Sequence, residues 1–189
     1  IGAEEPVIIF ASMNFEIKGL DDILLTLAQL KKQNDKFKLI VAGKGNIKKY
    51  EKMAKEAQIS SNVIFTGVVG KDKLIDLYLA GDLYMMLSKF DTIGMVVLEA
   101  MAAGLPVMIS SHVGAKDLVR EDKNGFIINN PSDYDHIVSK LKILFNENSR
   151  RSMSAAAYQT ATQNTWDMVA AKYQNTYNDI LAAKIKRDR

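Results

Sequence analysis

The chain has 189 residues, 48% of them hydrophobic, and is long enough to bury a sizeable core as one large domain or two small ones. Its 25 basic and 22 acidic side chains leave a net charge of only +3, which does not by itself predict a nucleic-acid partner. Cysteine is absent and histidine occurs only twice, which excludes a disulfide framework and disfavours a metal site built from protein ligands.

Strand-like and helix-like segments alternate along the first two thirds of the chain. In chain order they are strand 7–12, helix 20–33, strand 38–42, helix 47–58, strand 62–66, helix 71–80, strand 82–87, helix 95–103 and strands 107–110 and 125–129. Beyond residue 133 the pattern is helical, over 133–146, 149–161 and 165–186. Strands separated by helices form βαβ units. We therefore predict an α/β fold, with a Rossmann-like parallel sheet, helices on both faces and a helical C-terminal extension.

The start of the chain reads IGAEEPVIIF, which has no basic segment and passes almost directly into the first predicted strand. We therefore expect a boundary inside a longer protein and not a secretory signal peptide. No apolar run reaches the length of about 18 residues that predicts a membrane span.

Glycines and charged residues follow the carboxyl ends of the predicted strands, where open parallel sheets bind their ligands. These groups are Lys18-Gly19 after the first strand, Gly43-Lys44-Gly45 after the second, 67–70 after the third and 91–94 after the fourth. We predict that the four loops line one crevice.

The segment 94–109 reads GMVVLEAMAAGLPVMI and carries one charge, Glu99. A helix that is apolar on nearly every side is predicted to be buried, and a carboxylate inside it is costly unless it is paired. Asp91 precedes this helix, and Gly94 allows another molecule to approach the helix start. Because the free amides of a helix start bind anions, the combination suits a ligand with phosphates and hydroxyls.

This segment resembles the signature of retaining glycosyltransferases of family 4, the glycosyl transferases of group 1, which have the two-domain GT-B fold. The signature has two glutamates separated by seven residues and then Ala-Met-Ala-x-Gly-x-Pro-Val. Asp91 stands at the first acidic position and Glu99 at the second. The matching tail is Ala100, Met101, Ala102, Gly104, Pro106 and Val107. The chain departs from the family at Asp91, which is one methylene shorter, and at Met13, where the family commonly has arginine.

The resemblance implies a role for each matching residue. Lys18 would neutralise the donor pyrophosphate, Asp91 would contact the donor sugar, and Glu99 would bind both ribose hydroxyls. The implied catalytic residues are Asp91 and Lys18, and the implied donor-binding residues are Glu99, Gly94, Met95, Val96, Gly19, Gly43 and Gly45. No cofactor is implied beyond the substrate, a nucleotide diphosphate sugar, and a metal is not expected to be essential.

Each of these residues also has a structural interpretation. Asp91 would cap the following helix, Glu99 would form a buried ion pair, and Lys18 would be a surface lysine. The two glycines around Lys44 would form a tight turn. We assign no catalytic role to His112. The aromatic residues predicted to pack in the core are Phe126, Phe145, Trp166, Tyr173 and Tyr177.

The resemblance covers nearly the whole chain and implies a single nucleotide-sugar-binding domain over 1–189, with 133–189 as its helical part. It implies transfer from a UDP-sugar, with retention, to a carbohydrate or lipid-linked acceptor held by an N-terminal domain absent from this chain. Bacterial surface polysaccharide or lipopolysaccharide synthesis in the cytoplasm is expected. The basic end, 184–189, is expected to be a solvated helix terminus, with contact with the inner face of a membrane as the lesser alternative.

Three alternatives remain open at this point. In a non-catalytic GT-B partner subunit, Asp91 and Met13 would be signs that the catalytic site has decayed. A GT-B sugar-nucleotide epimerase would need further acids in the missing half. A dinucleotide-binding Rossmann domain is disfavoured, because the glycine fingerprint after the first strand is incomplete.

Overall fold

A computed structural model describes residues 5–187 of the chain, with side chains described through residue 184. Its strands are β1 (Val7–Ser12), β2 (Lys38–Gly43), β3 (Val63–Gly67), β4 (Leu83–Met86), β5 (Val107–Ser110) and β6 (Gly125–Ile128). They form one sheet in the order β3-β2-β1-β4-β5-β6, and every pairing is parallel. The strand order reverses between β1 and β4, and ligands bind at such a switch point in open α/β sheets.

Within residues 5–187, seven helices cover the two faces of this sheet or follow it. They are α1 (Leu20–Lys32), α2 (Ile47–Glu56), α3 (Lys71–Leu79), α4 (Met95–Ala102), α5 (Tyr134–Phe145), α6 (Glu147–Thr162) and α7 (Trp166–Arg187). Helices α1, α2 and α5 pack on one face, and α3, α4 and α6 pack on the other. The predicted fold class, a Rossmann-like parallel sheet with helices on both faces, is confirmed.

The central strand β1 shows how the sequence builds two apolar layers. All six of its residues are buried. Ile8 and Phe10 point into the layer under α1, whereas Ile9 and Ala11 point into the layer under α4. Successive side chains of a strand point to opposite faces, so a strand buried on both sides needs a continuous apolar run.

The predicted boundaries of the elements agree with the structure to within one or two residues, which is the usual uncertainty of helix ends. Helix α1 ends at Lys32 and not at the predicted Gln33, because Gln33 caps the helix and Asn34 takes a left-handed conformation with φ of 63°. The pattern did not predict two short 3₁₀ turns, Ser60–Asn62 and Gly114–Leu118.

Helix α7 differs from the other helices because its side chains from 170 to 184 are all exposed. Trp166 is 75% exposed, and Tyr173 and Tyr177 are exposed as well. The prediction that these three residues pack in the core is therefore wrong, although it holds for the fully buried Phe126. Their spacing predicts a common helix face, but spacing does not show whether another element covers that face.

Two expectations about the chain ends fall largely outside the described residues. Residues 1–4 are not described, and within the basic segment 184–189 only Lys184 has a described side chain, which is exposed. Across the described part of the chain, no helix is both long enough and apolar enough to cross a membrane.

Candidate functional site

The loops after β1 and β4 bring Lys18 and Asp91 together at the switch point of the sheet. Lys18 Nζ lies 2.6 Å from Asp91 Oδ2 and 3.3 Å from the carbonyl oxygen of Phe90. Both charged side chains are mostly shielded from solvent, with relative exposures of 21% and 14%. The structure therefore pairs the two residues that the sequence predicts to be catalytic.

Further hydrogen bonds join the loop after β1 to the loop after β4. Lys89 N–H donates to the carbonyl oxygen of Ile17 at 2.8 Å. Ser88 is fully buried, and its Oγ lies 2.8 Å from the Phe90 carbonyl oxygen and 3.1 Å from that of Ile17. In turn, Ser110 Oγ donates to the carbonyl oxygen of Ser88. Serine at these positions was not singled out in the sequence, because a lone serine carries no spacing signal.

Asp91 is held by its backbone as well as by its side chain. Its Oδ1 accepts hydrogen bonds from the backbone N–H groups of Gly94 at 2.9 Å and Ile93 at 3.2 Å. Its own N–H donates to the carbonyl oxygen of His112 at 3.1 Å, and its carbonyl oxygen accepts from Gly114 N–H at 2.9 Å. These bonds to Asp91 Oδ1 close the turn before α4, but the N-cap of the helix is Gly94 and no side-chain hydrogen bond caps it, so the capping interpretation of Asp91 is wrong. The predicted contact of Asp91 with a sugar stays a prediction.

Two glycines allow the loops to turn into their helices beside this pair. Gly19 precedes α1 with φ of 75°, and Gly94 precedes α4 with φ of 78°. A Cβ at Gly19 would clash with the backbone of Leu87, and a Cβ at Gly94 would clash with the side chain of Val113. Left-handed backbone and close approach both require glycine at these positions.

Helix α4 is not buried on every side, and the prediction that it is buried is wrong in this respect. Val97, Ala100 and Met101 are buried, but Met95 and Glu99 are exposed. The apolar run hides a one-sided pattern, since Met95, Glu99 and Ala102 recur at helical spacing on one open face. The predicted ion pair of Glu99 is not present either, because its described partner is an uncharged phenol.

That partner is Tyr78 of α3, whose hydroxyl donates to Glu99 Oε2 at 3.3 Å. Tyr78 is only 3% exposed. Burial raises the pKa of the Tyr78 phenol well above its usual range, and the Glu99 charge raises that pKa further. The phenol therefore remains a hydrogen-bond donor throughout the physiological pH range.

Cavities open beside these residues in two regions. The first, the Glu99 groove, has a volume of about 570 Å³ and lies between α3, α4 and the start of α7. Its lining includes Lys71, Leu74, Tyr78, Met95, Glu99 and Trp166. On the other side of Trp166 a cavity of about 330 Å³ is also lined by Met95 and Glu99. Trp166 therefore stands between two cavities that share the open face of α4.

The second, the strand-end crevice, has a volume of about 110 Å³ and gathers the ends of β1, β2 and β3 with the first turn of α4. Its lining includes Ser12, Met13, Gly43, Val68, Val69, Leu74 and Val96. Met13 is 66% exposed, so an apolar side chain stands where the family commonly has a cation. A larger cavity, of about 660 Å³, lies between α1 and α2 and is lined by none of the predicted site residues.

The glycines after β2 have packing reasons of their own. A Cβ at Gly43 would clash with the backbone of Ser12, and one at Gly45 would clash with the ring of Phe15. The tight-turn interpretation accounts for both residues. Contact of Gly43 with a ligand stays a prediction, and it is compatible with the position of Gly43 in the strand-end crevice.

Within the described residues, no group of three or more His, Asp or Glu side chains is arranged to hold a metal ion. The predicted site residues are instead hydrogen-bond donors, hydrogen-bond acceptors and backbone amides. The N–H groups in the first turn of α4, at Met95 and Val96, have no acceptor within the helix. The site therefore combines one cation, free amides and two separately placed carboxylates.

The model of the family described as "Glycosyl transferases group 1" matches residues 1–160, which is most of the chain. The chain belongs to this family. The match includes the whole sheet and every predicted site residue, and it confirms the resemblance found in the sequence.

The curated relatives of this chain include transferases of different kinds. The sulfoquinovosyl transferase of Arabidopsis thaliana is 36% identical over 116 residues, which cover 59% of this chain and 22% of that protein. A GDP-mannose-dependent phosphatidylinositol monomannoside mannosyltransferase of Mycobacterium tuberculosis is 28% identical over 179 residues, covering 89% of this chain and 46% of that protein. The chain spans less than half the length of the curated relatives it matches.

Solved structures show the same fold. The pneumococcal O-GlcNAc transferase GtfA, solved with UDP and GlcNAc, has a TM-score of 0.79 at 22% identity, with 95% of this chain and 37% of that chain covered. The C-terminal domain of the group 1 glycosyl transferase LpcC from Francisella tularensis has a TM-score of 0.73 at 21% identity, with 85% of each chain covered. A domain of nearly the same extent has thus been solved by itself.

Proposed function

We propose that this chain is the donor-binding part of a GT-B glycosyltransferase that transfers a sugar, with retention, from a nucleotide diphosphate sugar to an acceptor. The observation that carries the proposal is the pairing of Lys18 and Asp91 at the start of α4, with Glu99 on the open face of the same helix. Lys18 and the start of α4 would face the diphosphate, and Glu99, farther along the helix, would face the ribose.

Lys18 and the start of α4 would bind the diphosphate. An ammonium group has three donors, and two of those of Lys18 face Asp91 and Phe90, which leaves a third for a phosphate oxygen. Charge develops on the diphosphate as the sugar leaves. Lys18 and the first-turn amides of Met95 and Val96 would stabilise that charge because they are already oriented.

Glu99 would bind the ribose. It lies five residues beyond Gly94, roughly 7.5 Å along the helix axis, which separates it from the diphosphate site. An exposed carboxylate can accept two hydrogen bonds from neighbouring hydroxyls. Asp91 would then face the sugar from the opposite end of the diphosphate.

UDP is the nucleotide that we favour, although both UDP and GDP occur among the similar proteins. The strand-end crevice is small and mostly apolar, at about 110 Å³, and Val68, Val69 and Val96 line it. Such a crevice suits one face of a single-ring base better than that of a purine.

The acceptor belongs to the whole protein, and we propose a carbohydrate or lipid-linked acceptor of surface polysaccharide or glycolipid synthesis. The relatives named for phosphatidylinositol monomannoside and for monoglucosyldiacylglycerol support this class. A cytoplasmic location, beside the inner face of a membrane, is part of the same proposal.

The test is calorimetric titration of the 189-residue chain with UDP and GDP, with UDP expected to bind more tightly. Glu99→Gln should weaken binding, whereas Glu51→Gln, at an exposed position on α2, should not. The chain alone should not glycosylate an acceptor, since it supplies the donor side of the cleft only. If neither nucleotide binds, or if the isolated chain glycosylates an acceptor, the proposal is wrong.

A non-catalytic partner subunit is the second candidate, and the engagement of Asp91 favours it. Both carboxylate oxygens of Asp91 already have partners within the chain. Restoring glutamate at this position in the full-length protein separates the two candidates. A catalytic protein has measurable transfer before the change, whereas a partner subunit acquires it, if at all, only afterwards.

A further inference from the structure

The hydroxyl of Tyr78 reaches the one carboxylate on the open face of α4. Tyr78 lies in α3, a different helix, and its side chain is buried while Glu99 is exposed. The oxygen atoms are 3.3 Å apart. A buried residue of one helix therefore orients an exposed residue of another at the edge of the Glu99 groove.

The ring of Tyr78 is itself fixed by the core. It meets the ring of Tyr84 edge to face, with centroids 6.2 Å apart and an interplanar angle of 67°. Tyr84 is fully buried in β4, and its hydroxyl donates to the carbonyl oxygen of Ala11 in β1 at 3.3 Å. The position of the Tyr78 hydroxyl is thus set by the central strands of the sheet.

Glu99 needs such support because an exposed glutamate is mobile. Ordering a long side chain on binding opposes affinity, so a carboxylate that is already oriented binds better than a free one. The hydrogen bond from Tyr78 uses one lone pair of Oε2 and leaves Oε1 and the remaining lone pairs for a ligand.

We propose that Tyr78 is a positioning residue for nucleotide binding, which holds Glu99 in the orientation that accepts the two ribose hydroxyls. This inference rests on the proposed function, because it assumes that Glu99 binds ribose. It adds a residue outside the signature segment and predicts an effect specific to the ribose.

The experiment compares two nucleotides that differ only at the ribose. UDP and 2′,3′-dideoxy-UDP are titrated calorimetrically into the wild-type chain and into Tyr78→Phe, which keeps the ring and removes the hydroxyl. We expect Tyr78→Phe to weaken UDP binding about threefold to tenfold, the equivalent of one net hydrogen bond. Binding of the dideoxy nucleotide should not change.

Tyr84→Phe is the matched control, because it removes the other phenol of the same pair, which does not contact Glu99. It should lower the melting temperature without changing the preference for UDP over the dideoxy nucleotide. A double variant supplies a second measurement. In a Glu99→Gln background, Tyr78→Phe should have little further effect, since residues that act through one another are not additive.

Four outcomes would overturn the inference. Equal weakening of both nucleotides would show a structural role for Tyr78, and unchanged or tighter UDP binding would show no role in positioning. Full additivity with Glu99→Gln would show that the two residues act separately. If the wild-type chain binds both nucleotides equally, the ribose role of Glu99 in the proposed function is wrong, and the inference is wrong with it.

Discussion

The two carboxylates of the candidate site lie at opposite extremes of structural constraint. Asp91 is held by an ammonium group, two backbone amides and two further backbone hydrogen bonds. Glu99 is exposed and has one described hydrogen bond, from a neutral phenol. Asp91 is therefore part of the folded framework, whereas Glu99 is exposed to solvent.

Substitutions at the two carboxylates must therefore be interpreted differently. A change at Asp91 disturbs the start of α4 as well as any ligand contact, so its functional effect is mixed with a structural one. A change at Glu99 removes an exposed group that the fold does not need. Substitutions at Asp91 and Glu99 should differ in their effects on nucleotide affinity and on the free energy of unfolding.

Nucleotide affinity should respond to Glu99 and not to Asp91. Glu99→Gln weakens one or two charge-assisted hydrogen bonds to ribose, each contributing about 1.5–3 kcal/mol. Nucleotide affinity should therefore fall by roughly tenfold or more. Asp91→Asn should leave nucleotide affinity nearly unchanged, because the proposed contacts of the nucleotide are Glu99, Lys18 and the helix start. Calorimetry with UDP measures both.

The contrast would fail if Asp91→Asn weakened UDP binding as much as Glu99→Gln does. Asp91 would then be a nucleotide contact or act only through the structure of the turn before α4. In the full-length enzyme, Asp91→Asn should reduce turnover, since a charge beside the reacting centre acts more on the transition state than on the ground state.

The free energy of unfolding should instead respond to Asp91 more than to Glu99. Asp91→Ala removes the carboxylate that closes the turn before α4 and pairs with a mostly shielded lysine, so the free energy of unfolding should fall by about 1–2 kcal/mol. Glu99→Ala should change it by less than about 0.5 kcal/mol, as is usual for exposed positions. Urea denaturation of both variants measures the difference. Equal losses would mean that Glu99 is also structural.

The smallest effect on the free energy of unfolding is expected at a third carboxylate, Asp22 of α1, and it depends on pH. Asp22 also accepts a hydrogen bond from a phenol, that of Tyr134 at 3.4 Å. Burial raises the pKa of Asp22 above its ordinary value of 3.8, although Lys89 and the Tyr134 hydrogen bond act in the opposite direction. A raised pKa favours the protonated folded state. The contribution of Asp22 to stability is therefore present below pH 3.8 and lost as pH rises through the folded pKa.

Asp22→Asn, which stays neutral, should gain stability relative to the wild type as pH rises from about 4 to about 7. Urea midpoints at the two pH values provide the measurement, and Asp72→Asn on α3 is the control because α3 packs on the opposite face of the sheet from α1. A relative gain that shrinks with rising pH would contradict the sign of the shift.

The fold was predictable from local pattern, and parts of the site were not. Continuous apolar runs such as 7–12 are typical of buried strands, and the strand bounds of β1 match the prediction. The open face of α4 was missed because methionine and alanine count as apolar wherever they lie. The contact between Tyr78 and Glu99 joins residues 21 positions apart on different helices, and no local pattern encodes it.

Helix α7 has a consequence for how the molecule unfolds. Its side chains from 170 to 184 are all exposed, and helices in proteins owe most of their stability to packing, so this segment is stabilised largely by its own backbone hydrogen bonds. Its amides would exchange with deuterium long before those of β1, and its ellipticity would decline ahead of the sheet. Because the chain's one tryptophan stands at its first residue, fluorescence and circular dichroism follow different parts of the chain, and one midpoint does not describe both.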